Sequence, residues 1–303
     1  DYRSKREACL KWLLTFGKDP EKVEGYARTT VSARANRMDL FHRRVWNEEG
    51  RYVADPTHEH ADWFLKQLAY EDRSNADRSN YQKAIQMLMK WRHHELGHDE
   101  YEPAMTFYAD DSASQPRDYL TRRERRRVRE AALATESWRE TTIVLTSLDA
   151  ALRPVEVSRA RPEWVDTENK LLRIPREDSS KNTDNWRTSL TSRTAEALEH
   201  WLEERAEDPM YDERGALWLT REGTQYSSRS LARLLRRLCN EADIDTGGRK
   251  MTWYSVRHST GTYLAAERDL KAAKDQLRHQ TPVTTMKYDQ VPAEQRRDAL
   301  ENM

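Results

Sequence analysis

Residues 108 to 120, YADDSASQPRDYL, interrupt a chain that carries most of its apolar side chains at helical spacing. Asp and Ser draw the backbone into local turns and proline lacks the amide donor, so this aperiodic stretch cannot continue a packed helix. It predicts two separately cored units: a helical domain over residues 1–112 and a second domain over residues 121–303, joined by a linker at 113–120. The length of 303 residues suits that division, with each part large enough to bury its own core.

Composition narrows the class. Charged residues make up 34% of the chain and the mean hydropathy is −1.04, yet ten tryptophans and thirteen tyrosines punctuate it. Packed domains with heavily charged faces need that mixture, whereas a disordered chain does not. The two cysteines, Cys9 and Cys239, fall in different halves and support neither a disulfide framework nor a cysteine metal site. No apolar run approaches the ~18 residues that span a bilayer, and DYRSKREACLKWLL lacks the long apolar region of a signal peptide. A cytoplasmic protein with no membrane partner is expected.

Net charge is zero, from 52 basic and 52 acidic residues, which excludes a simple polycation that coats DNA. Placement is uneven, however. TRRERRRVRE (121–130) and RSLARLLRRL (229–238) are arginine-dense, whereas residues 101–115 hold no Lys or Arg. Such runs are solvated helix faces or phosphate-contacting ones.

The expected fold class is mainly α, of the α+β kind. The first part shows helical patterns at 4–16, 21–47, 57–71 and 76–96, the last with Tyr81, Ile85, Leu88 and Trp91 on one stripe. Beyond the linker, a long helix is predicted from Arg122 to Ser147, with another begun by Pro154. Residues 164–190 alternate short apolar runs with turn-rich pieces, as a small antiparallel meander of three strands would, with Lys181 in its last turn. A helix over 192–207, a short strand over 216–220, and an amphipathic helix through Leu231, Leu234, Leu235 and Leu238 follow. DTGGRK is a turn, after which helices at 252–266 and 269–278 precede a short one over 283–288 that Thr281 can cap.

That last helix carries a histidine–tyrosine pair, in HQTPVTTMKYDQV, with Tyr288 nine positions after His279. No HExxH, Walker loop, GxGxxG, GxSxG or close acidic cluster appears, so the common signatures of metallohydrolases, nucleotide-binding folds and α/β-hydrolases are missing. Arginine, histidine, lysine and tyrosine remain. In ALRPVEVSRA (151–160), WYSVRHSTGTYLA (253–265) and LRHQTPVTTMKY (277–288), the chain resembles the tyrosine recombinases of the phage integrase family, which implies a site-specific recombinase of archaeal or bacterial origin. Arg153 matches the first arginine of that family with Glu156 after it, Arg257 the arginine of the HxxR box, His279 the histidine of the third box, and Tyr288 the nucleophile. Lys181 matches the lysine on a β-hairpin turn. Motif order covers residues 118–303; the first part matches only in size and helicity.

The residues after Tyr288 suit a short helix from Pro292. The resemblance implies a helical, SAM-like core-binding domain, a mostly helical catalytic domain, and a tail over 289–303 that docks on a neighbouring protomer. It implies that Tyr288 forms a 3′-phosphotyrosyl link, Arg153 and Arg257 hold the phosphate charge, His279 bonds a non-bridging oxygen, and Lys181 protonates the 5′ oxygen. The chemistry fits the residue types: metal-free phosphodiester cleavage needs an attached nucleophile, cationic donors and a proton for the leaving group. No cofactor, metal or ATP is expected. The expected partner is double-stranded DNA, clamped by a protein that is monomeric when free and tetrameric on synapsed DNA near the nucleoid.

Two positions depart from the pattern. Tyr254 stands where the HxxR histidine usually is, and a phenol makes an unlikely base near neutral pH, so Tyr254 is expected to donate a hydrogen bond while water or another group takes the proton. Arg278 stands where glycine is common and is expected to add a phosphate contact. His258 is expected to pack or to support the site from behind. Singly, each candidate has an ordinary reading: Arg153 and Glu156 as a surface ion pair, Lys181 as a turn lysine, Arg257 as a buried ion-pair partner. Two other functions are compatible with the same residues, a type IB topoisomerase and a non-catalytic DNA-binding protein that keeps the fold.

Overall fold

The computed structural model describes residues 1–108, 118–180, 184–288, 297, 300 and 301. It divides into two compact units, Asp1–Ser112 and Ala113–Met303.

Four helices build the first unit: α1 (Tyr2–Thr15), α2 (Arg28–Glu49), α3 (His58–Tyr70) and α4 (Asn75–Leu96). The helix expected from residue 21 begins later, because the amides of Lys18 and Asp19 donate to the Glu24 carbonyl and close a turn there. Gly50 and Gly97 end α2 and α4 in the left-handed conformation that glycine adopts without steric cost. Ile85, Leu88 and Trp91 are buried from one stripe of α4 and meet Phe41 of α2 and Phe64 of α3 in one apolar core.

The second unit begins with α5 (Arg122–Leu133) and α6 (Trp138–Ala150), two helices where one was expected. The break is local chemistry: the Thr135 and Thr141 hydroxyls both donate to the Ala132 carbonyl, and Ser137 caps α6 by accepting from the Glu140 amide. The α7 helix (Pro154–Arg159) precedes strands β1 (Val165–Asp166), β2 (Leu171–Ile174) and β3 (Trp186–Ser189), an antiparallel meander in that order with Val165 opposite Leu172 and Arg173 opposite Arg187.

Next comes α8 (Ser192–Glu207). Residues 216–220 form no strand; Leu219 makes a single bridge to Gln225. Their apolar run serves the core instead, where Leu217 donates its amide to the Ala160 carbonyl and accepts from the Trp201 indole. The helices α9 (Ser228–Glu241), α10 (Trp253–Glu267), α11 (Leu270–Leu277) and α12 (Pro282–Thr285) complete the order, with a 3-10 turn at Met286–Tyr288. Thr281 makes no capping bond to the backbone. Four fully buried tryptophans, Trp164, Trp201, Trp218 and Trp253, anchor the core, and truncating one such side chain costs about 3–5 kcal/mol. The fold is mostly helical with a small antiparallel sheet, as the sequence implies. No described helix is long and apolar enough to cross a membrane. Lys181, residues 113–117 of the linker and the start of the Pro292 helix lie outside the described residues.

Candidate active site

Three chain segments meet at the buried carboxylate of Glu156. The α6 helix ends at Ala151 in the left-handed conformation (φ 49°), which turns the chain so that Arg153 stands just before α7, with Pro154 at the first helical position. The Glu156 side chain reaches back, accepting from the Arg153 amide at 2.8 Å and from Arg153 Nη1 at 2.9 Å. From α10, Arg257 Nη1 donates to the Ala151 carbonyl at 2.6 Å and Nη2 to the Leu277 carbonyl. Arg257 therefore ties the turn before Arg153 to the end of α11, two residues before His279.

Arg278, expected to add a phosphate contact, is bonded to protein groups at the site. It sits at φ 57°, the left-handed position that explains why glycine suits this helix end, and its side chain is fully buried. The guanidinium folds inward, donating to the Ala150 carbonyl at 2.5 Å, the Ala151 carbonyl at 2.9 Å and Glu156 Oε2 at 2.7 Å. It braces the site from within and also lines the cleft that holds Arg153 and His279.

Burial alone would raise the Glu156 carboxyl, but Arg278, Arg153 and Arg257 outweigh it and hold the group down at about 2. Burial, with repulsion from Arg278 and Arg153, pulls Arg257 down to about 9, which leaves it cationic at neutral pH. The ion pair of Arg153 and Glu156 is thus interior and part of a three-arginine cluster, where a surface pair was one sequence reading.

Arg153 and His279 line one cleft, together with Ser179, Ser180, Trp186 and Thr281. Lys181 follows Ser180 directly and is outside the described residues. His279 is 4% exposed, shares a hydrogen bond of 2.9 Å with the Thr285 hydroxyl through Nδ1, and stacks on the Tyr288 ring at 6.0 Å and 17°. Tyr288 is also 4% exposed, packed with Ala151, Ala273 and Leu277. Its ring packs close to α10 because Gly261 has no side chain: a Cβ there would come within 2.9 Å of Tyr288 Cε1 and 2.7 Å of Leu277 Cδ1.

The structure does not bring Tyr254 to this hydroxyl. Tyr254 is 42% exposed, with no hydrogen-bond partner among the described residues, and stacks on the His258 ring at 6.2 Å. His258, one turn along α10, is the residue that meets the nucleophile candidate, with Nδ1 2.7 Å from Tyr288 Oη. The signal was present in the sequence: positions 254, 258 and 261 share one helix face, and a glycine inside a helix, which costs about 1 kcal/mol against alanine, marks a close approach. Among the described residues no cluster of His, Cys, Asp or Glu could hold a metal ion.

The phage integrase family profile matches residues 118–295, more than half of the chain. The chain belongs to the phage integrase family. No curated protein sequence matches it significantly. Solved structures similar to this family member include XerH site-specific recombinase bound to difH substrate in a pre-cleavage complex, with a TM-score of 0.68 at 17% identity over 98% of this chain and 87% of that one. The Tn1549 transposon integrase in complex with transposon right end DNA has a TM-score of 0.68 at 13% identity, covering 97% and 98% of the two chains. A lambda integrase dimer bound to a COC′ core site has a TM-score of 0.66 at 14% identity, covering 95% and 77%. The fold of this integrase-family chain is therefore the tyrosine recombinase fold.

Proposed function

We propose that this phage integrase family member is a site-specific DNA recombinase that breaks and rejoins strands through Tyr288. One observation carries the assignment: Arg257 is bonded to the carbonyls of Ala151 and Leu277, and so draws the Arg153 turn and the His279–Tyr288 segment around a single buried carboxylate.

The groups divide the work by their chemistry. A duplex phosphate entering the cleft meets the Arg153 guanidinium, with Arg257 behind it supplying further positive charge as the phosphorane develops. His279, in the same cleft, donates to a non-bridging oxygen. Tyr288 Oη forms a bond to phosphorus, the bond to the 5′ oxygen breaks, and Lys181 returns a proton to that oxygen. The resulting 3′-phosphotyrosyl link stores the bond energy, so a 5′ hydroxyl from another strand reverses the step without ATP or a divalent metal.

The first unit, Asp1–Ser112, is the candidate core-binding domain, and residues 121–303 the catalytic one. Exposed Arg229, Arg233 and Arg236 on α9 suit phosphate contact. The protein works in the cytoplasm on nucleoid DNA, binding as a monomer and recombining as a tetramer.

Covalent trapping tests this reading: wild type and Tyr288→Phe are incubated with fragmented source DNA in EDTA, stopped with detergent, and the attached ends sequenced. Adducts on 3′ ends at one sequence, absent in the variant, are expected. Scattered adducts would indicate a topoisomerase instead, and tight binding without adducts a non-catalytic DNA-binding protein.

A further inference from the structure

We infer that His258 is the general base that takes the phenolic proton of Tyr288, the duty that Tyr254 leaves unfilled; the inference rests on the recombinase reading above. Three observations converge. His258 Nδ1 lies 2.7 Å from Tyr288 Oη, inside the reach a base needs. The Tyr288 ring is seated against α10 where Gly261, one turn beyond His258, lacks a Cβ, so the backbone there admits the ring. Tyr254 is 42% exposed and stacks on the His258 ring at 6.2 Å, and a phenol is a poor base near neutral pH.

In the tautomer protonated on Nε2, the Nδ1 lone pair accepts the hydrogen bond from Tyr288 Oη. A free phenol holds its proton three to four orders of magnitude more tightly than an imidazole, so complete transfer before attack is disfavoured. The proton therefore moves to Nδ1 while the Oη–phosphorus bond forms and the bond to the 5′ oxygen lengthens; that oxygen departs with a proton from Lys181. The imidazolium left behind adds positive charge next to the phosphotyrosine and returns the proton to Oη when the 5′ hydroxyl attacks. Tyr288 from the 3-10 turn and Tyr254 on α10 are titratable groups whose rings lie against His258. His279 is occupied differently, with Nδ1 on the Thr285 hydroxyl and its ring flat on Tyr288.

The experiment uses the full chain and duplexes bearing the site at which wild type becomes covalently attached, made with either an ordinary 5′ oxygen or a bridging 5′ sulfur at the scissile phosphate. The sulfur leaves without needing a proton, which separates nucleophile activation from leaving-group protonation. His258→Gln and His258→Asn are expected to slow adduct formation about 10²-fold or more on both duplexes, with DNA retention and melting temperature unchanged. Lys181→Ala, in contrast, is expected to recover on the sulfur duplex. Because asparagine holds a polar group near the position of Nδ1 but cannot take a proton, cleavage within about threefold of wild type by either variant would reduce His258 to packing and overturn the inference. Recovery of the His258 variants on sulfur would overturn it too, assigning the residue to the leaving group. Should both variants melt early, the wild-type profile decides: an acid limb between pH 5 and 8 is expected and a flat one contradicts a histidine base. Absence of any wild-type adduct would remove the recombinase reading itself and the base with it.

Discussion

Glu156 and Arg278 form an ion pair of 2.7 Å with neither side chain exposed to solvent. Two further cations, Arg153 and Arg257, share the same carboxylate's field. Removing charge from such a pair leaves arginines buried without compensation, which costs more than the pair itself contributes.

Glu156→Gln is therefore expected to destabilise the protein by about 3–5 kcal/mol at neutral pH. The sign of the pH dependence follows from the depressed carboxyl. Its folded value of about 2 lies below the ordinary 4.5, so its stabilisation is fully present above about pH 4.5 and is lost as pH falls through 2. That difference corresponds to roughly 3 kcal/mol. Denaturant melts at pH 7 and pH 3 check this: the gap between wild type and variant should narrow at the lower pH. A gap that stays constant would show that Glu156 is not the titrating group.

Gly261→Ala introduces a Cβ 2.9 Å from Tyr288 Cε1, so the tyrosine ring must shift while α10 gains a better helix former. Adduct formation should fall at least tenfold with the melting temperature changed by only a few degrees. Normal cleavage by this variant would mean that the Gly261 seat is not where Tyr288 reacts.

Arg257→Lys keeps the charge but cannot reach the Ala151 and Leu277 carbonyls with two arms of one planar group. Cleavage is expected to fall by about 10²-fold or more, and the variant should also lose stability because a buried carbonyl loses its donor. Single-turnover cleavage measured beside thermal melts would separate the two effects. Retention of both would contradict the bridging role given to this arginine.

Arg229, Arg233 and Arg236 project from the exposed face of α9, opposite the buried Leu231, Leu234, Leu235 and Leu238. Arg237 differs, being paired with Glu140 and Glu241. Changing the three exposed arginines to alanine should lower the slope of log binding constant against log salt by about 2 to 3. An unchanged slope would place this face away from DNA.

Much of this organisation is legible in the sequence. The Ile85, Leu88, Trp91 stripe and the leucines of α9 declared their helices because burial imposes the 3.6 period, and the meander of 165–189 declared itself through turn residues between short apolar runs. The failures have physical causes. The division of α5 from α6 turns on threonine and serine hydroxyls competing for backbone groups, which a periodic apolar pattern does not register. Leu217 to Leu219 looked like a strand because core residues and strand residues share composition. At the site, the resemblance of three motifs to the tyrosine recombinases singled out Arg153, Arg257, His279 and Tyr288, each of which has an ordinary reading when taken alone. The inward turn of Arg278 and the contact of His258 with Tyr288 depend on long-range packing, 122 and 30 positions apart in sequence.

The most direct measurement is to digest the trapped protein–DNA adduct with protease and nuclease and identify by mass spectrometry which side chain carries nucleotide. The account predicts a peptide bearing a 3′-linked nucleotide on Tyr288, formed in EDTA and abolished in Tyr288→Phe. A nucleotide on any other residue, a 5′ linkage, or an adduct that survives loss of Tyr288 would contradict it.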